Sequence, residues 1–269
     1  MKVAEPFHLH GQMSDSFRAA VFIILSGGFQ DAYTYFFRGK VYANAQTGNI
    51  VLLSQHLFTG DFLTALHYLI PLVAFASGIL AAELFREHFQ SLKALHWRQM
   101  IVLAEILLLF SVGFFPQELN LLANAVVSFS CAMQVQTFRK VNGYAYASTM
   151  CIGNMRSGME ALAVWIVKHD PKALRKVFHY LGIIFLFGVG AGLGWVAVEH
   201  FATRAIWWSC LLLVICFALM FIREDLEDNP SIEQDLAEIR QEAGEIDHLL
   251  KKELHEEHEA LRDTLEHKN

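Results

Sequence analysis

The 269-residue chain is 54% apolar and only 18% charged, and its net charge of −6 comes largely from residues 224–269. A soluble domain of this length carries more charge, so the chain ahead of that tail reads as a membrane protein. It has no Lys/Arg-rich patch interleaved with aromatics, which excludes nucleic-acid binding.

Residues 1–16 are polar, and the first apolar run has no A-x-A-like cleavage site, so it reads as a retained helix rather than a signal peptide. A bilayer core of about 30 Å asks for roughly 20 apolar residues in a helix. Six segments meet that demand in chain order: Phe17–Phe37, Phe62–Phe85, Gln99–Phe115, Leu119–Phe138, Val177–Val198 and Ala205–Ile222. Two more, Tyr42–Phe58 and Tyr146–Val167, are shorter or more polar. Each opens with small polar residues around a Gly-Asn pair and then turns helical in pattern. They are either full spans, giving eight, or re-entrant half-helices.

The basic residues favour six spans. With the N-terminus in the cytoplasm, Arg86, Lys93, Arg98, Arg139, Lys140, Lys168, Lys172, Arg175, Lys176 and Arg223 face inside. Arg38, Lys40 and Arg204 face outside. Eight spans would move Arg86, Lys93 and Arg98 outside. Both termini are then cytoplasmic.

The two halves echo one another. Gly28-Phe29-Gln30-Asp31-Ala32 aligns with Ala132-Met133-Gln134-Val135-Gln136, and Tyr42-Ala43 with Tyr146-Ala147. Thr47-Gly48-Asn49 aligns with Ile152-Gly153-Asn154, His67-Tyr68-Leu69 with His179-Tyr180-Leu181, and Gly78 with Gly190. The offset drifts only from 104 to 112. Three spans per copy oblige the second copy to enter the membrane from the opposite side, so the repeats are inverted. Inverted repeats with broken helices are a recurrent plan of secondary transporters, with the site near the midplane.

Asp31 lies inside the first apolar segment. A carboxylate in hydrocarbon costs roughly 2.5–3.5 kcal/mol on insertion scales, so it faces the protein interior or water. It reads as a proton- or cation-coupling site or a substrate contact; the alternative is a structural hydrogen bond. Thr47 and Asn49, with Asn154 in the second half, mark paired breaks. Gly48 and Gly153 permit the bend there, and the polar residues cap the helix that follows, leaving N–H groups for an anion or a carbonyl oxygen. The alternative is a pair of tight turns that only pack the bundle. Gln30, Gln134 and Gln136 either coordinate a solute or bridge the two equivalent helices. Arg156 either pairs with Glu160 at i,i+4 spacing or faces the cavity and holds an anionic substrate. Glu105 and Asn124 are further polar candidates that nothing ranks. Ala74, Gly78 and Ala82 form one small-residue face, and Gly188, Gly190, Gly192 and Gly194 form another. These two faces are expected to pack against each other across the pseudo-two-fold.

The four cysteines, Cys131, Cys151, Cys210 and Cys216, make no CxxC pair and read as packing thiols. The tail begins with Asn229-Pro230-Ser231 and carries an apolar stripe from Leu236 to Leu265 among charges, an amphipathic helix with partial heptads.

The residues Gly28-Phe29-Gln30-Asp31-Ala32 and Thr47-Gly48-Asn49 resemble the motifs of the YoaK-like family of bacterial multi-pass membrane proteins. The second half carries a degenerate echo in Gln134 and Gly153-Asn154. Val135-Gln136 stands where such proteins tend to have Asn-Ala, and Ile152 where Thr is usual. The resemblance covers roughly residues 15–222 and omits the tail. It implies a membrane topology and no particular substrate.

The expected architecture is an all-α polytopic membrane protein. Six transmembrane helices form two inverted three-helix repeats, each with a re-entrant or broken segment, followed by a cytoplasmic amphipathic helix. The membrane domain covers residues 1–223, with repeat one at about 15–116 and repeat two at about 118–223, and the tail covers 224–269. The expected place is the bacterial inner membrane. The expected role is a secondary transporter or facilitator of a small polar solute, with an anionic solute and proton coupling through Asp31 as options. The site residues are Asp31, Gln30, Thr47, Asn49, Gln134, Gln136, Asn154 and Arg156, with no metal or cofactor. Partners are the lipid bilayer and a small-molecule solute. Homo-oligomerisation through the membrane helices or the C-terminal helix stays open. The rival is a non-transporting scaffold or sensor acting through the cytoplasmic helix. An enzyme has no support, because no nucleophile–base set, HExxH or nucleotide-binding loop is present.

Overall fold

The computed structural model describes residues 17–89, 97–141, 144–145, 148–149 and 151–227. The chain divides into two compact units, Met1–Met220 and Phe221–Asn269. The amphipathic tail helix expected after Asn229 lies outside the described residues, as do Tyr146 and Ala147 of the repeat alignment.

The described chain is helical throughout, apart from its connections. The order is α1 (Phe17–Phe37), α2 (Gln46–Phe58), α3 (Phe62–Phe89), α4 (Trp97–Val112), α5 (Asn120–Thr137), α6 (Cys151–Lys168), α7 (Pro171–Phe201) and α8 (Ile206–Glu227). A two-residue antiparallel bridge, β1 (Lys140–Val141) with β2 (Tyr144–Ala145), interrupts the α5–α6 connection. Each boundary has a local cause. Gly39 (φ 93°) and Lys40 (φ 64°) turn left-handed and end α1. Asp170 accepts the Lys172 N–H, and Pro171 takes the first helical position of α7, where a missing N–H costs nothing. Ala202, at φ 48°, breaks the run between α7 and α8.

Two helical stretches, Phe62–Phe89 and Pro171–Met220, are long and apolar enough by length and composition to cross a membrane. α1, α4 and α5 are apolar but carry Gln30, Asp31, Glu105, Asn124 and Gln134 inside them. At 1.5 Å per residue the 13 residues of α2 reach only about 20 Å, too short for a bilayer core of about 30 Å.

The outside of the bundle is apolar and the inside carries the polar groups. Leu63, Leu80, Leu84, Val167, Phe178 and Phe185 are exposed. Ser26, Gln30, Asp31, Arg38, Asn49, Glu105, Asn124, Ser128 and Gln134 are buried. Water as the only solvent would penalise both halves of that distribution, whereas lipid accepts it because hydrocarbon satisfies apolar side chains and forces polar ones inward.

The principal crossings pair α1 with α7, α3 with α5, α2 with α3, and α6 with α7. The small residues set the first two. A Cβ at Gly78 would fall on the Phe129 carbonyl oxygen of α5 and 2.8 Å from the Ala132 Cβ. A Cβ at Gly190 would fall on the Leu25 carbonyl oxygen of α1, and one at Gly194 would come 2.8 Å from that of Phe29. The two small-residue faces therefore do not pack on each other, as expected above. Each lies instead on the first helix of the opposite half. Gly188 and Gly192 meet nothing within 4 Å, because only every second glycine of that run points at α1.

The helix breaks also sit earlier than their motifs suggest. Thr47-Gly48-Asn49 belongs to the first turn of α2 and Ile152-Gly153-Asn154 to the first turn of α6, so the irregular backbone precedes both. Neither Gly48 nor Gly153 has positive φ. Gly48 is small because its Cβ would come 3.1 Å from the Tyr42 ring. Ala45 is the N-cap residue of α2 and makes no side-chain cap.

Candidate functional site

The two irregular connections, before α2 and before α6, meet on one turn of α1. From the first half, Asn44 donates its Nδ2 to the Gly27 carbonyl at 3.2 Å and its backbone N–H to Asp31 Oδ1 at 2.7 Å. The Asp31 carboxylate also faces the backbone N–H groups of Ala43 and Ala45. Asp31 thus holds the three residues that lead into α2, at the end of that helix whose dipole favours negative charge.

From the second half, Gln134 of α5 donates Nε2 to the Ile23 carbonyl at 3.3 Å. Ile23 and Gly27 are one turn apart on one line of α1. Thr149 packs on the same turn: its Cγ2 would lie 2.6 Å from a Cβ at Gly27, and Gln134 Oε1 3.9 Å from that point. Asn44 also lies beside the Cys131 thiol of α5. After these contacts Asn44 Oδ1, Gln134 Oε1, Ser148 Oγ and Thr149 Oγ1 are buried with no hydrogen-bond partner among the described residues. Asn44, Gln134 and Thr149 all bear on this turn, and Ser148 precedes Thr149 in the chain; orphaned buried oxygens are uncommon in folded proteins, so the group marks a place built to receive something.

Gln30 faces away from this turn into a second polar cluster. Its Nε2 donates to Ser26 Oγ at 2.8 Å and Ser209 Oγ at 3.1 Å, and lies 3.4 Å from Glu105 Oε1. Its Oε1 accepts from Cys131 Sγ. Gln30 therefore ties α1 to α4, α5 and α8, which is the bridging reading of that residue. Glu105 is fully buried, and its Oε2 has no partner.

The other sequence-derived candidates lie elsewhere. Asn49 is buried but closes a local clamp, accepting the Tyr42 N–H and donating to the Tyr42 carbonyl and Gln46 Oε1. Thr47 is exposed on α2. Gln136 donates to Glu83 Oε2 of α3 at 2.6 Å. Asn154 is buried in the first turn of α6. Arg156, whose side chain is 81% exposed, pairs with Glu160 at 2.9 Å and faces no buried cavity, so the local ion pair is the arrangement present. Two surface cavities lie apart from the turn: one beside Lys172 and Lys176, and an apolar one between α1, α7 and α8 near His200.

Three residues that matter most here were not ranked by their sequence pattern. Asn44 and Ser148 sit in connections whose chemistry depends on where the loops land. Arg38 reads from sequence as an outward-facing charge at the end of α1, yet it is fully buried. Its guanidinium donates to Tyr33 Oη and to the carbonyls of Val112, Phe115 and Pro116, and to Asn120 Oδ1. No carboxylate among the described residues pairs with it. The signal that could have found it is the tyrosine five residues earlier, with the Pro-containing end of α4 offering free carbonyls.

The chain is similar to the UPF0700 transmembrane protein YoaK of Bacillus subtilis (strain 168). It is 25% identical over 207 residues, covering 74% of this chain and 89% of the relative. No solved structure matches. The family model described as "Protein of unknown function (DUF1275)" matches residues 19–219. That span runs from the first turn of α1 into α8 and includes Gly27, Asn44, Gln134, Ser148 and Thr149, so the chain belongs to the DUF1275 family, a YoaK-like family of membrane proteins.

Proposed function

We propose that the protein is a secondary transporter or facilitator of a small polar solute, built from two inverted three-helix repeats, each with one broken segment. The convergence on Gly27 carries this reading. Asn44 comes from the first half and Gln134 and Thr149 from the second, yet all three bear on one turn of α1, and each keeps a buried oxygen without a partner among the described residues, as does Ser148 beside Thr149 in the chain. A solute site between repeats is where inverted-repeat transporters place it.

The helix pairings support the repeat. Exchanging the halves turns the α1–α7 crossing into α5–α3, and α2–α3 into α6–α7. Phe129 and Leu25, the carbonyls under Gly78 and Gly190, are themselves 104 residues apart, the offset of the first-helix alignment. On this reading six spans cross the inner membrane, α2 and α6 are the broken segments, and both termini are cytoplasmic. No catalytic role is assigned.

One observation favours the rival scaffold reading: Asp31, Gln30 and Asn49 have their hydrogen bonds met inside the protein. Flux through proteoliposomes separates the two. Wild-type protein should move one class of small polar solute, and Gln134→Met should lower that flux while the protein stays monodisperse. If no screened solute moves, while deletion of residues 229–269 abolishes a partner or an oligomer, transport is wrong and the scaffold stands.

A further inference from the structure

We infer that the Gly27 turn binds a compact monovalent cation, either an alkali ion or a primary ammonium group. This rests on the site reading above and names the chemistry of its occupant.

The orientation of the two amides comes first. Asn44 Nδ2 and Gln134 Nε2 each donate to a carbonyl of α1, at 3.2 and 3.3 Å. Flipping either amide would set oxygen against oxygen. The atoms turned away from α1 are therefore acceptors, fixed by geometry. Asn44 is 6% exposed and Gln134 is 0% exposed, and both oxygens lack partners. Only a hydrogen-bond donor or a cation can satisfy them.

Ser148 and Thr149, at 1% and 7% exposure, add two hydroxyls with no partner. A hydroxyl adapts, offering its lone pairs to a cation and turning its proton aside. Gly27 lets these groups come in against α1, because a Cβ there would lie 2.6 Å from Thr149 Cγ2 and 3.9 Å from Gln134 Oε1.

Charge selects the valence. Asp31 lies one turn along α1 and holds the Asn44 N–H, so a single carboxylate adjoins the neutral oxygens. Among the described residues no basic side chain offsets it. Arg38 is occupied by carbonyls, Arg156 by Glu160, and Lys40 lies over the rings of Tyr35 and Phe36. Neutral oxygens with one carboxylate suit a single positive charge, since tight divalent sites recruit several carboxylates. An anion would meet acceptor atoms and a carboxylate. Oxygen sets of this kind replace the hydration shell of monovalent ions in transporters and channels.

The test is thermal unfolding of the full chain in detergent. Ionic strength is held with N-methyl-D-glucamine chloride, whose cation is too bulky for the site. Lithium, sodium, potassium and methylammonium chlorides are then titrated in. A cation that binds the folded state raises the midpoint saturably, and the arm that does so tells an alkali ion from an ammonium group. Thr149→Val and Ser148→Ala should keep the elution profile and the midpoint in the bulky salt, and Gln134→Met, which also loses its bond to the Ile23 carbonyl, is read as the cation shift from its own baseline. Each should raise the half-saturating concentration by about tenfold. The inference is overturned if no small cation acts beyond the bulky one, or if the three variants respond as wild type does. The transport reading fails separately. A site-dependent cation shift with no solute flux keeps the cation and removes transport. A flux lowered by Gln134→Met with no cation effect keeps transport and removes the cation.

Discussion

Replacing Arg38 by methionine tests the claim that a buried guanidinium holds the end of α4 to the end of α1. Methionine keeps much of the stem volume and removes every donor. The loss can be worked acceptor by acceptor. The Val112 carbonyl still accepts from the Phe115 N–H, and the Pro116 carbonyl from the Leu119 N–H. Tyr33 Oη still donates to the Thr203 carbonyl. The Phe115 carbonyl and Asn120 Oδ1 lose the guanidinium that bonds them among the described residues. Both bonds are only part-buried, so water takes up part of what is lost, and at a net worth of about 0.5–1.5 kcal/mol per bond the two give roughly 1–3 kcal/mol of destabilisation. Arg38→Lys should lie between wild type and methionine, because three donors on a point charge cannot reproduce the planar fork. The assay is equilibrium unfolding in mixed micelles of increasing denaturing-detergent fraction, with helicity as the readout. A loss under about 1 kcal/mol for Arg38→Met would refute the reasoning, since that is the typical worth of one ordinary hydrogen bond.

Gly78→Ala and Gly190→Ala each put a methyl on a backbone carbonyl, and should each destabilise by about 1–3 kcal/mol, as overpacking does. Gly188→Ala and Gly192→Ala meet open space and should stay within about 0.5 kcal/mol by the same assay. Asp31→Asn weakens a charge-assisted bond to the Asn44 N–H. Amide exchange at residues 43–45 should speed up by about tenfold, and unchanged exchange would show that the carboxylate does not hold that connection. Asp61, in the exposed α2–α3 turn, accepts from the Thr64 side chain and backbone N–H, which hold its carboxyl below the ordinary range; the nearby His56 acts in the same direction. A lowered acid stabilises above its unfolded pKa of about 3.9 and loses that contribution as pH falls through the folded value. Protection of the Thr64 amide should therefore persist at neutral pH and fall in acid, and Asp61→Asn should flatten that dependence.

The helices were legible because each is an apolar run bounded by residues that stop helices. The first runs from Phe17 to Phe37 both by hydropathy and in the structure. Gly78 and Gly190 could be read as close-packing positions, but their partners could not, because a small-residue face does not say which helix will cover it. Asp31 and Gln134 stood out as polar groups within apolar runs, where their cost is visible in the sequence alone. Asn44 and Ser148 did not, since polar residues are ordinary in connections and acquire meaning only when the loop is buried. Arg38 misled for a related reason: an arginine at the end of a span reads as interfacial, and its burial depends on carbonyls contributed 74 to 78 positions later. Arg156 was legible in its plain form, the i,i+4 pair with Glu160.

The crossing of α1 on α7 has a consequence for biogenesis. Helix α1 meets its main partner only after some 165 further residues have been made, since Leu25 lies against Gly190. At bacterial synthesis rates of about 5–20 residues per second, that wait is on the order of ten seconds or more. During it, Gln30 sits in an apolar helix whose partners Cys131 and Ser209 do not yet exist. The first half must therefore lodge beside the insertion machinery or another protein until the second arrives, and neither half should mature alone.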